Sequence, residues 1–172
     1  KDGREYVTLL SAGHTTPAPW INVIANPQFG FQASTEGSGY TWADNSKENQ
    51  LTAWSNDPVT DPVSEVIYIR DEETLDLWTT TAQPIRDGGT YIARHGYGYS
   101  SFEHQVHGIH SELLQYVPVA DPVKISRLTL RNQTNVPRRL SVICYVEWVM
   151  GASRSGRAPF ITTQMDAQTG AM

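Results

Sequence analysis

The residues best equipped for chemistry in this 172-residue chain lie between Gly37 and Pro62. That stretch sets Tyr40, Trp42 and Trp54 among Asp44, Asn45, Lys47, Glu48, Asn49, Asn56, Asp57 and Asp61, with hardly an aliphatic side chain between them. Aromatic faces offer apolar surface, while amides and carboxylates offer donors and acceptors in pairs. Together they match a sugar ring, which has one face of C–H groups and a rim of hydroxyls. The apolar residues follow neither a 3.6- nor a 2-residue period, so the stretch is expected to be a long loop without helix or strand. Such loops are often functional. A plainer reading stands beside this one, in which the tryptophans anchor the loop and the Asn and Asp side chains cap its turns.

Other constellations offer less. His104, His107 and His110 recur every third residue and would line one side of a helix as metal ligands do. Gly108 and the surrounding β pattern argue against a helix, and in a strand His107 would face away from the other two. Asp57 and Asp61 each precede a proline, and turn geometry accounts for both. No nucleophile elbow occurs, and Gly88-Gly89 and Gly96 to Gly98 lack the Lys and Ser or Thr needed to cradle phosphate. No catalytic residue, metal or cofactor is therefore assigned.

Composition narrows the class. The length suits one packed domain, residues 1–172, and falls short of two. A net charge of -5 with 13 scattered Lys and Arg gives no nucleic-acid footprint. The single cysteine, Cys144, excludes an internal disulfide and leaves the redox compartment open. No apolar run approaches the length of a membrane span, so direct membrane insertion is not expected. The start at Lys1-Asp2-Gly3, without an initiator Met, reads as part of something longer.

The elements that must position the stretch are strands. Tyr6–Leu10, Trp20–Asn26, Phe29–Ser34, Glu65–Arg70, Leu75–Thr81, Thr90–His95 and Gly108–Val119 carry β-branched and aromatic residues or period-2 alternation. The turn-rich Asn132–Pro137 predicts a hairpin between Val123–Arg131 and Arg138–Met150. In its second arm Leu140, Val142, Cys144, Val146, Trp148 and Met150 share one face and Ile143, Tyr145 and Val149 the other, the pattern of a central strand buried on both sides. Ala158–Thr163 is strand-like, and Thr169–Met172 reads as a turn cut within a hairpin. The fold class is all-β, an antiparallel β-sandwich.

Several separated segments carry a family resemblance. They are Thr16–Asn26, Gly39-Tyr40-Thr41-Trp42 with Asn45–Asn49, Trp54–Pro58, Ile69–Glu72 and Arg94-His95-Gly96-Tyr97-Gly98-Tyr99, in that order. The chain resembles the N-terminal β-domain of glycoside hydrolase family 94, formerly glycosyltransferase family 36, whose members include inverting β-glucoside phosphorylases such as cellobiose phosphorylase. Glu112–Pro118 and Tyr145–Val149 bring it nearest to the C-terminal region of the cyclic β-1,2-glucan synthases. Lys47 and Ala53 depart from the Arg and Pro of the family pattern. The resemblance implies a galactose-mutarotase-like supersandwich, here a truncated piece of it, preceding a helical linker and an (α/α) barrel.

The general acid and most phosphate-binding groups of that family lie in the barrel, so this segment is expected to be non-catalytic. It would shape the glucan site or a domain or dimer interface of a bacterial transferase or phosphorylase. Implied partners are a β-glucan or gluco-oligosaccharide, the barrel and a second copy. A cyclic glucan synthase would place it on the cytoplasmic side of the inner membrane. The alternative is a self-sufficient carbohydrate-binding module. In either case the expected sugar-facing residues are Trp42, Asn45, Glu48, Asn49, Trp54 and Asp57, joined by Arg94 and His95.

Overall fold

A computed structural model describes residues 3–172. Among these residues thirteen strands form three antiparallel sheets, and the helical content is one turn, α1 (Arg154–Arg157), continued by a 3-10 turn at Ala158–Phe160. Sheet I has the order β1 (Glu5–Leu10), β8 (Tyr91–Gly96), β9 (Tyr99–Val106), β10 (Ile109–Tyr116), β11 (Ile125–Asn132). Sheet II runs β12 (Leu140–Val146), β6 (Glu65–Asp71), β7 (Leu77–Thr79). Sheet III runs β13 (Trp148–Gly151), β5 (Gln50–Thr52), β4 (Gly39–Ala43), β3 (Phe29–Ser34), β2 (Ile21–Ala25).

Alternation along the strands builds the core. Ala93, Phe102 and Leu113 point inward from sheet I and meet Ile24, Phe31 and Ala33 of sheet III. Further along the same sheet, Ile109 packs with Ile69 and Trp78 of sheet II. Sheet I is thus one layer, and sheets II and III together face it. The all-β sandwich expected from composition is what the chain adopts.

A buried ion pair ties the layers together. The Glu65 carboxylate, at the start of β6, accepts from the Oγ1 atoms of Thr41 (2.6 Å) and Thr52 (2.7 Å) in sheet III. Its other oxygen accepts from Lys124 Nζ (2.6 Å), one residue before β11. The Lys124 ammonium also sits 4.4 Å from the centroid of the Phe31 ring. The two side chains are 14% (Lys124) and 22% (Glu65) exposed. A second pair joins Arg138 to Asp71 (Nε to Oδ2, 2.8 Å), and Arg138 also donates to the His107 carbonyl (2.7 Å).

That second pair corrects the expected hairpin. β11 pairs with β10 and β12 with β6, so Asn132–Pro137 is a crossing between sheets. Arg138, on the far side of the turn, is drawn to Asp71 at the end of β6, and this delivers the chain to sheet II. The expected central strand Leu140–Met150 is likewise two elements. β12 lies at the edge of sheet II with Val142, Ile143 and Tyr145 about half exposed, and β13 joins sheet III. Apolar residues on both faces record a tendency to be covered, whereas the available pairing edge decided position. Ala158–Thr163 is the 3-10 turn and irregular chain, since Pro159 at its start favours helical φ and offers no ladder donor.

The Gly37–Pro62 stretch also differs from expectation, because β4 and β5 lie within it. Its short strands pair across an Asn-bearing turn, and a polar, aromatic mixture hid their period. The strand β9 carried no sequence expectation. It returns through His107-Gly108, both with positive φ (51° and 75°), the primed two-residue turn that suits a twisted hairpin. The three histidines diverge accordingly. His104 faces inward and bonds Asp87 Oδ2 through Nε2 (2.8 Å). His107 packs on Trp78 with ring centroids 5.3 Å apart. His110 pairs with Gln105 and Arg131 on the opposite face of sheet I.

Two stability effects follow. Lys124→Met leaves the buried Glu65 carboxylate without its cation, held only by the Thr41 and Thr52 hydroxyls. The expected loss is about 3 kcal/mol, the lower end for breaking a buried pair, read as a shift of the urea midpoint at constant slope. A shift below about 1 kcal/mol would mark it as an ordinary surface bridge.

The second effect is acid sensitivity. For Glu65 burial opposes ionisation, and Lys124 with the two threonines more than offsets it, so the carboxyl titrates below its usual 4.5. For Asp71 the Glu73 amide and then Arg138 lower it below 3.8. Stability from a depressed carboxyl is complete above its unfolded value and is lost as pH falls through the folded one. Thermal midpoints should therefore be flat on this account above about pH 5 and fall below about pH 4. Glu65→Gln with Asp71→Asn should flatten that acid limb.

Candidate functional site

Trp42, on β4, stands opposite Gly30 of β3 in the ladder. A Cβ at Gly30 would lie 2.5 Å from Trp42 Cζ2 and 2.7 Å from the Ala25 Cβ, so the indole lies over the sheet where only glycine leaves room. Tyr40, two residues earlier on the same face, packs against it with centroids 5.2 Å apart. Trp54, just beyond β5, stacks on Tyr40 at 5.5 Å and 28° between planes. Tyr40 is only 7% exposed and burial pushes its hydroxyl pKa up, whereas Trp54 is 44% exposed. The three rings form a supported row that ends in an exposed indole.

Polar residues around the row divide into scaffold and surface. Asn45 Oδ1 accepts from the amides of Lys47 and Glu48 (both 2.9 Å). Asn49 donates from its side chain to the Ala43 carbonyl (3.0 Å) and from its backbone to that of Asn45 (3.0 Å). Both asparagines are thus committed to the β4–β5 turn, as the plainer reading has it. Glu48 faces solvent, 3.4 Å from Lys47. Asp57 accepts from the Thr60 hydroxyl (2.7 Å) and from the Thr60 and Val59 amides, and these bonds hold its carboxyl below the usual range. Asp61, at φ 40°, accepts from Ser34 Oγ (2.7 Å) and Ser38 Oγ.

Beside Trp54 these turns leave a groove of about 270 Å³, lined by Pro19, Ile21, Gln32, Asn56, Asp57 and Asp61 among others. Trp54 and Asp57 therefore come together, with Trp42 in the adjoining row. Arg94 and His95 do not join them. They lie on β8 in sheet I, in the opposite layer. Arg94 donates to Glu103 (2.9 Å) and lies 3.8 Å from Glu5, and the Glu103 bond raises its pKa. His95 bonds Ser100 Oγ through Nδ1 (2.9 Å), and burial lowers its pKa. The sequence did not single out Gln32, Pro19, Ile21 or Asp61 as sugar-facing. The Gly30-x-Gln32 pattern opposite an aromatic strand is the one local signal for Gln32, since residues two apart share a face.

The chemistry available is recognition: an aromatic row, free amides and carboxylates already satisfied by their own turns. With that geometry in hand, the comparisons with known proteins are specific. Residues 4–172 match the family model described as glycosyl hydrolase 94, supersandwich domain. Over 167 residues the chain is 42% identical to the cyclic beta-(1,2)-glucan synthase NdvB of Rhizobium meliloti (strain 1021), covering 96% of this chain and 6% of that protein. It is 31% identical over 150 residues to N,N'-diacetylchitobiose phosphorylase of Vibrio furnissii, covering 86% and 18%. The solabiose phosphorylase of Paenibacillus borealis is 29% identical over 151 residues, covering 86% and 19%. The chain thus spans a small part of the length of each.

The division into scaffold and surface is measurable. Asn45→Ala removes the acceptor for two turn amides and should cost about 1 kcal/mol, as loss of a capping side chain does. Glu48→Ala should stay within about 0.5 kcal/mol in the same chemical melts. Equal costs would mean that Glu48 holds the turn as Asn45 does.

Proposed function

The chain belongs to glycoside hydrolase family 94, as its supersandwich domain, and from that premise we propose that it is the non-catalytic, carbohydrate-contacting sandwich of a larger enzyme acting at β-glucosidic bonds. Residues 1–172 would form one sandwich domain of that enzyme. Its partners would be a β-glucan or gluco-oligosaccharide and an (α/α) barrel that supplies the general acid. Relatives named as a cyclic β-(1,2)-glucan synthase and as disaccharide phosphorylases support the class of bond. The observation that carries the sugar contact is the exposed Trp54 indole, stacked on Tyr40, which in turn packs against Trp42. Stacking on Tyr40 fixes the plane of the indole and leaves its other side to solvent, as a platform for a sugar ring requires.

A self-sufficient binding module is the second reading, favoured by the fact that the row and the groove are built entirely from this chain. The two part on affinity. One stacked ring contributes on the order of 1 kcal/mol beyond its buried area, so binding by this chain alone should be millimolar or weaker.

In the full-length protein, Trp54→Ala should raise KM for the β-glucan about two- to tenfold, the worth of one stacked aromatic. kcat should stay close to that of Gln133→Ala, a surface control, and stability should fall by no more than the worth of the lost pair with Tyr40, about 1 kcal/mol. A Trp54→Ala protein with unchanged KM and unchanged stability would remove the platform, and a fall in stability alone would make Trp54 a packing residue. Release of glucose 1-phosphate by this chain by itself would overturn the non-catalytic assignment.

A further inference from the structure

We propose that the groove beside Trp54 is a one-ring subsite selective for a neutral β-linked pyranose over a uronic acid. This rests on the carbohydrate reading above and narrows it to a place, a size and a charge. The volume of about 270 Å³ falls just under the roughly 300–1,000 Å³ of pockets for drug-sized ligands, so it holds one sugar ring while neighbouring units stay outside. Its walls match the two aspects of a pyranose. Trp54 stacks one face on Tyr40 and turns its remaining surface to the groove, and Pro19 and the half-exposed Ile21 extend that apolar wall.

The polar wall is Gln32 and Asn56. Neither side-chain amide makes a hydrogen bond among the described residues, although both line the groove. Each can donate and accept at once, as a pair of vicinal hydroxyls requires. Gln32 is held on the sheet, opposite Val23 on one side and Tyr40 on the other, so its reach is fixed by the ladder.

Charge sets the selectivity. Asp57 and Asp61 both line the groove, and among the described residues no Lys, Arg or His does so. Their oxygens already accept from Thr60, Ser34 and Ser38, which fixes them in place. The turn that carries them is closed by the Asp61 amide donating to the Asp57 carbonyl (3.0 Å). A uronate carboxylate would enter facing like charge with no cation to answer it, while hydroxyls can still donate to the remaining lone pairs.

The test uses the full-length protein and a photoreactive β-1,2-linked glucose disaccharide, with sites of labelling mapped by mass spectrometry. Labelling is expected on peptides bearing Trp54–Pro58 or Pro19–Ile21. An unlabelled neutral disaccharide should compete at millimolar concentration, and its counterpart with one glucuronate should compete at least tenfold less well. Gln32→Leu and Asn56→Ala, which remove no buried contact among those described, should each lower groove labelling at least threefold with melting unchanged. Labelling confined to other peptides, equal competition by the glucuronate, or full labelling of the Gln32→Leu and Asn56→Ala proteins would overturn the subsite. If Trp54→Ala still raises the glucan KM in that case, the broader platform reading survives and only the subsite falls. If it does not, both fall.

Discussion

The carboxylate of Glu65 is where three sheets meet, and the rest of the molecule is arranged around satisfying it. Burying a carboxylate is unfavourable unless opposite charge and donors surround it. Here β6 supplies the charge, β4 and β5 supply the threonine hydroxyls, and the chain entering β11 supplies the ammonium. Each partner comes from a different stretch of sequence, so the group is content only when all those strands are in place. Lys124 adds a second hold by lying over Phe31, which is itself part of the core between sheets I and III. Such a cluster gives little net stability over an apolar equivalent, and its value lies in penalising every arrangement that leaves one member out. Among the things it fixes is the β4–β5 pair, and with it the spacing of Tyr40, Trp42 and Trp54.

The relation between the layers also explains the placement of polar chemistry. Sheet I turns Arg94, Glu103 and Glu5 outward, where they pair with one another. Sheet III turns its aromatic row outward, where nothing from sheet I reaches it. The aromatic row and the Arg94-His95 pair therefore lie on separate layers.

The fold class was legible because β-branched and aromatic residues recur in short runs between turn formers, and most of those runs are strands at nearly the expected bounds. Pairing was not legible. Arg138 reaching Asp71 lies 67 positions away in the chain, and no local pattern reports such a partner. β12 misled for a related reason: its apolar faces speak of contact, not of which neighbour provides it. At the candidate site, Trp54 stood out by type, and Asp57 lines the groove while also capping its own turn. Asn45 and Asn49 looked alike to them and proved to be turn scaffold, since a side chain that caps its own backbone and one that meets a ligand have the same composition. Gln32 was invisible because its significance comes from the strand beside it.

The pairing of Trp42 with Gly30 has a further consequence. An indole opposite any larger residue would stand away from the sheet like a post, and the surface would become a cleft between posts. Over glycine it lies low, and the face becomes a floor. A polymer can settle on a floor from the side at any point along its length, whereas a deep tunnel must be threaded from an end.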